Sequence, residues 1–220
     1  MQHDTSGLAN NPPTFRLIPI MGETRSEHAI RLIEKLGLAR PRELEAHGVS
    51  RAQIARLVSD GLVLRQARGI YVVARHAPTE AHTLAQVAKR VPDGVFCLLT
   101  ALRFHGLTTQ SPAEVWIALA EKARRPRLDY PRLRVARFSG HALTEGVKEH
   151  RVEGVRVRVY SAAKTVADCF KYCNKVGVDV AVEALRDFSR KHRGGANDLA
   201  RFARICRVSR VMQPYLDAIA

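Results

Sequence analysis

Cysteine is scarce in this chain and falls in no pattern. Cys97, Cys169, Cys173 and Cys206 lack the spacing of a disulfide framework, so reduced thiols in a cytoplasmic protein are expected. Cys169 and Cys173 stand one helical turn apart, but no second pair has ligand spacing, and the nine histidines contain no His-x-x-x-His. No metal site is therefore expected, and no cofactor. Long apolar runs are missing too. None approaches the ~18 residues of a membrane span, and the N-terminus lacks the charged, apolar and small-residue order of a secretory signal. There is no Walker-type or Gly-x-Gly-x-x-Gly loop; Arg193-Gly194-Gly195-Ala196 reads as a turn between helices.

Acidic residues are the other deficit. Thirty-six Lys+Arg face 21 Asp+Glu, leaving a net charge of +15 and a pI near 10.4. Such a surplus points to a polyanionic partner, usually nucleic acid and less often an anionic membrane; the plainer alternative is a generally basic proteome. With 220 residues, 46% of them hydrophobic and 26% charged, the chain is expected to fold as two domains.

The first 22 residues, with Asn10-Asn11-Pro12-Pro13, cannot start a helix and read as a flexible or extended arm. A compact block over 23–75 follows. His76-Ala77-Pro78 reads as a linker, with Thr79 able to cap what comes next, and 79–220 form the second domain.

Inside the first block, Thr24-Arg25-Ser26-Glu27 has the form of a capping box. Ile30, Ile33 and Leu36, with Leu32, make one apolar face, and Gly37 stops the helix. Pro41 opens a short helix over 42–47, ended by Gly48. Ser50-Arg51-Ala52-Gln53 is a second box and opens a third helix. Leu62-Val63-Leu64 and Ile70-Tyr71-Val72-Val73 then read as strands joined through Gln66-Ala67-Arg68-Gly69, a hairpin with a basic tip. Three short helices and a basic hairpin make a winged helix-turn-helix.

On the third helix Ile54, Leu57 and Val58 must face the core. Ala52, Arg56 and Ser59 lie opposite, with Arg51 and Gln53 on the flanks. An arginine can pair bidentately with guanine and a glutamine with adenine, while rim cations neutralise phosphates. The expected DNA-contacting set is Ser50, Arg51, Ala52, Gln53, Arg56 and Ser59 from the helix and Arg65 and Arg68 from the wing. The structural alternatives are an Arg56–Asp60 ion pair, a Gln53 side chain occupied by its own capping box, and a winged block that binds protein instead.

The second domain reads as helices near 80–90 and 98–105, strands over 115–119, 133–138 and 155–160, then helices over 162–172, 179–191, 198–205 and 212–219. The strand at 155–160 alternates Val155, Val157, Val159 with Arg156, Arg158, Tyr160. Lys122, Arg124, Arg125, Arg127, Arg132, Arg134 and Arg137 face one acid, Asp129, a net +6 over 122–137. With Tyr130 and Phe138 interleaved, this stretch is a candidate second nucleic-acid surface; a solvated loop between strands is the alternative.

Two constellations look catalytic. Ser161-x-x-Lys164 has the form of a nucleophile pair, but a serine N-cap and a Lys164–Asp168 pair explain it more simply. Cys169 and Cys173 continue a core stripe with Val166 and Phe170. The expectation is a protein that is not an enzyme.

A resemblance adds to these readings. Leu99-Thr100-Ala101-Leu102 with His105-Gly106-Leu107, Pro112-Ala113-Glu114-Val115-Trp116-Ile117-Ala118, Glu145-Gly146-Val147, and above all 161–171 with its continuation through Asn174-Lys175-Val176-Gly177-Val178-Asp179-Val180-Ala181 carry it. In these, and over nearly the whole chain, winged block included, the sequence resembles the AbiEi antitoxins of AbiE-type, type IV toxin–antitoxin systems. The resemblance implies a phage-defence repressor of its own operon, bound to operator DNA with inverted repeats. It implies a second domain that counteracts a nucleotidyltransferase-like toxin. The long stretch before Thr24 departs from the family. The expected class is α+β: an N-terminal winged helix-turn-helix, then a mixed α/β C-terminal domain. An RNA-binding accessory factor using the basic C-terminal domain is the alternative.

Overall fold

The computed structural model describes residues 22–76, 79 and 81–219. The expected arm, apart from Gly22, lies outside these residues, as do Ala77 and Pro78 of the expected linker and Glu80 of the helix expected after it. The chain divides into two compact units, residues 1–77 and 78–220.

In the first unit, α1 (Arg25–Leu36), α2 (Pro41–Glu45) and α3 (Arg51–Ser59) precede β1 (Val63–Ala67) and β2 (Ile70–Val73). Both halves of the Thr24 capping box form: the Glu27 N–H donates to Thr24 Oγ1 at 3.2 Å, and the Thr24 N–H to Glu27 Oε2 at 2.8 Å. That second bond holds the Glu27 carboxyl below its ordinary range. The apolar face of α1 centres on Ala29, Leu32 and Ile33, and Ile30 and Leu36 are only half-buried against it. These residues, with Leu44, Val49, Ile54, Leu57, Val63 and Val73, form the core of the unit. Each fully buried Leu or Ile contributes roughly 1.5–3 kcal/mol relative to exposure.

The hairpin is longer than its sequence suggests. β1 and β2 pair antiparallel from Val63↔Val73 to Ala67↔Ile70, with a bulge between Arg65 and Ala67, so the turn tightens to Arg68-Gly69. Gly69 has φ +73°, which a glycine adopts without strain. A single bridge between Ala39 and Tyr71, with reciprocal N–H to carbonyl bonds of 2.9 Å, ties the α1–α2 connection to the hairpin.

The second unit is a five-stranded mixed sheet in the order β5-β4-β3-β7-β6. Its elements are α4 (His82–Arg90), β3 (Val95–Phe96), α5 (Leu98–Phe104), β4 (Val115–Ala120), β5 (Leu133–Phe138), α6 (His141–Thr144), β6 (Val147–Val152), β7 (Val155–Tyr160), α7 (Ala162–Lys171), α8 (Cys173–Val176), α9 (Val178–Lys191), α10 (Ala196–Cys206) and α11 (Ser209–Asp217). β4–β5 and β3–β7 are parallel; β3–β4 and β6–β7 are antiparallel. α4 packs on the face of β7 bearing Val155, Val157 and Val159. α5, α7, α9 and α10 build the larger core, which takes Trp116, Ala118, Phe138 and Tyr160 from the opposite face. Strands β3 and β6 and helices α6 and α8 were not expected from sequence.

Gly146 shows why Glu145-Gly146-Val147 matters to this core. Its φ is +76°, and a Cβ there would sit 2.9 Å from Lys164 Cβ and from the Phe202 ring. Only glycine lets α6 run into β6 this close to α7 and α10.

Candidate nucleic-acid interface

α3 presents its surface by the logic of its caps and core. Ser50 Oγ accepts from the Gln53 N–H at 3.2 Å and starts the helix, while Ile54 and Leu57 pin one side into the core. The exposed side then carries Ala52, Ala55, Arg56 and Ser59, an i, i+3, i+4, i+7 stripe, with Arg51 beside it. Ala55 belongs to this face and is missing from the residues expected there; its spacing from Ala52 was the available signal.

The long side chains differ in how freely they can reach a partner. Arg56 is 81% exposed at the side chain and only loosely paired, with Nε 3.9 Å from Asp60. Arg51 Nε lies 2.6 Å from Glu45 Oε1, also near the surface. Exposed pairs of this kind contribute about 0–1 kcal/mol, so a phosphate or base edge can displace them. Gln53 is different. Its Nε2 donates to the Arg25 carbonyl at 2.5 Å, fastening the start of α3 to the start of α1. The amide expected either to reach an adenine or to close its own capping box instead joins two helices. Ser50 and Ser59 likewise use their hydroxyls locally, Ser59 Oγ donating to the Arg56 carbonyl at 2.8 Å.

On the hairpin, Arg65 and Arg68 are exposed, one on β1 and one at the turn, and neither has an ion-pair partner among the described residues. The helix face sets Arg56 among alanine and serine, and the hairpin adds Arg65 and Arg68, a combination that suits entry into a groove.

The basic stretch of the second unit divides into anchors and free cations. Arg137 donates through Nη1 to the carbonyls of Ala120 and Ala123, at 2.8 and 2.7 Å, so it braces the β4–β5 connection. Arg134 lies 4.4 Å over the Trp116 ring and 3.7 Å from Glu114. Arg125 makes one long bond, 3.5 Å, to the Leu133 carbonyl. Lys122, Arg124, Arg127 and Arg132 are exposed with no ion-pair partner among the described residues. Phe138, expected to be available for stacking, is buried between Tyr160 and Tyr172. Tyr130 alone of the two aromatics is exposed.

The Ser161-x-x-Lys164 motif resolves into structure. Ser161 Oγ caps α7 by accepting from the Lys164 N–H at 3.3 Å, while the Lys164 ammonium reaches one turn forward to Asp168. Cys169 is wholly buried, and burial pushes its thiol well above its ordinary pKa. That opposes the thiolate a metal would need.

Among the described residues no helix is long and apolar enough to cross a membrane. No curated protein matches the chain. Residues 29–74, from within α1 to the end of the hairpin, match the family model described as transcriptional regulator, AbiEi antitoxin. The 99–181 motifs that carried the resemblance in sequence lie outside that match. In its first unit, helix triplet and hairpin together, the chain is similar to the AbiEi antitoxin transcriptional regulators.

Proposed function

We propose that the protein is the DNA-binding repressor and antitoxin of a type IV toxin–antitoxin pair, acting in the cytoplasm. It recognises operator DNA with inverted repeats through α3 and the wing, and lowers transcription of its own operon. Its second unit counteracts a nucleotidyltransferase-like toxin, as part of a phage-defence system. No catalysis is assigned to it.

The observation that carries the DNA reading is the exposed stripe Ala52, Ala55, Arg56 and Ser59, continued by Arg65 and Arg68 on the wing. Small residues allow close approach to the groove floor, and Arg56 is the one long side chain on the stripe that can reach a base edge. Arg51, Arg65 and Arg68 supply the rim charge that positions a duplex. The family match over 29–74 supports the regulator and antitoxin role.

DNase footprinting of the full chain on its own promoter tests the reading. Protection of two symmetric half-sites is expected. A promoter left unprotected at concentrations that bind bulk DNA would remove the operator role.

A further inference from the structure

The surface least explained by a winged helix lies wholly in the second unit. β4 and β5 are neighbours, parallel and in register, so the chain leaving Ala120 must travel back one full strand length before it can start Leu133. Six-residue strands span roughly 20 Å. Such a return is usually made by a helix, but residues 121–132 make it as irregular chain. Its cations are exposed along the whole connection. Lys122, Arg124, Arg125, Arg127 and Arg132 face two acids, Glu121 and Asp129.

The segment is held at both ends. Arg137 grips the carbonyls of Ala120 and Ala123, and the Val115 N–H donates to the Arg132 carbonyl at 2.9 Å. Leu128 is half-buried and Pro131 buried, while Arg124, Arg127, Tyr130 and Arg132 point outward. Tyr130 is 75% exposed, the most exposed large hydrophobic side chain among the described residues. An aromatic ring left in water on a braced, basic strip is a stacking platform awaiting a partner.

We propose that residues 121–132 bind single-stranded nucleic acid, with Tyr130 stacking on an unpaired base and Arg124, Arg127 and Arg132 contacting the flanking phosphates. The ligand is single-stranded because bases in a duplex are already stacked on one another and offer the ring no face. Exposed guanidinium groups on both sides of the ring can neutralise the flanking phosphates, and the bracing lowers the entropy lost on binding. This site is independent of the operator reading, which rests on the first unit.

The test uses the full chain and fluorescence anisotropy with labelled oligouridylate, oligothymidylate of equal length, and a duplex. Wild type should bind at least one single strand. Tyr130→Ala should weaken that binding about 10-fold or more and leave duplex affinity within about twofold, while Tyr130→Phe retains binding. Arg127→Ala with Arg132→Ala should lower the salt slope by roughly 1.4, about 0.7 for each lost phosphate contact. Tighter binding of oligouridylate would identify RNA as the source, and equal binding a site blind to the sugar; either supports the proposal. Arg56→Ala should bind single strands as wild type does. The proposal is overturned if neither single strand binds, if Tyr130→Ala binds them as wild type does, if it loses as much on the duplex, or if Arg56→Ala abolishes single-strand binding.

Discussion

The Lys164 ammonium lies 2.7 and 2.5 Å from the two carboxylate oxygens of Asp168, and both side chains are completely shielded from solvent. Cys206 Sγ donates to the same carboxylate at 3.2 Å, and the Tyr160 and Phe138 rings face the ammonium at 4.2 and 4.9 Å. Burial pushes the Asp168 carboxyl up and Lys164 opposes it. The pair joins β5, β7, α7 and α10 at the centre of the second unit, where either charge alone would be stranded. Removing one partner, as in Lys164→Met, should therefore destabilise the unit by about 3–5 kcal/mol, whereas Lys164→Met with Asp168→Leu should recover much of that loss. Chemical denaturation of the three proteins measures it. A single variant as stable as wild type would mean the pair is solvated in solution.

Arg56→Ala should lose about 1–3 kcal/mol on the operator and much less on a scrambled duplex, since a base contact discriminates and a phosphate contact does not. Titrations of both duplexes decide this. Equal losses would make Arg56 a backbone contact or merely the partner of Asp60.

Arg68, exposed at the wing turn, should act on all duplexes alike. Replacement by alanine is expected to lower the salt dependence of binding by about 0.9 in log–log slope, the contribution of one phosphate. An unchanged slope would leave the hairpin without a role in DNA binding.

His105 supplies a pH dependence. Its Nε2 lies 2.7 Å from the Tyr160 carbonyl, an acceptor only, so the ring carries a proton on that nitrogen. Burial holds the imidazole below its ordinary value of 6.5, against the raising effect of that bond. A lowered value means the unfolded chain takes up the proton first as pH falls. The stability His105 confers is thus full above about pH 6.5 and is lost as pH drops below it. Between pH 7.5 and 5, the thermal midpoint of wild type should fall further than that of His105→Gln. Parallel profiles would assign the acid sensitivity to other groups.

The two units have separate cores, which allows their roles to be tested apart. A fragment ending near Arg75 holds 11 Lys+Arg and 7 Asp+Glu, whereas the remainder holds 25 and 14. The first fragment should bind the operator and repress, though more weakly than the full chain, because most of the positive charge is gone. It should not rescue cells from the toxin of the proposed pair, and the complementary fragment should rescue without repressing. Co-expression of each with that toxin, beside a promoter–reporter assay, reads both. Rescue by the N-terminal fragment alone would collapse the division of labour.

What sequence alone determined is what short-range physics governs. Thr24, Ser50 and Ser161 cap their helices because the acceptor and its N–H partner lie three residues apart. The alternation at 155–160 and the pairing of Lys164 with Asp168 were legible for the same reason, as was the apolar side of α3. Tertiary structure decided whatever depends on a partner distant in the chain. β3 is two residues long and exists only through β4 and β7, and β6, largely polar, is a strand because β7 lies beside it. Gln53 was assigned outward by its position on the helix, yet the carbonyl that takes its amide belongs to Arg25, on another helix. Phe138 and Tyr130 looked equivalent beside the same arginines; the sheet buried the first in the core and the crossover left the second in water. Local spacing specifies which face a side chain takes, and only packing specifies what that face meets.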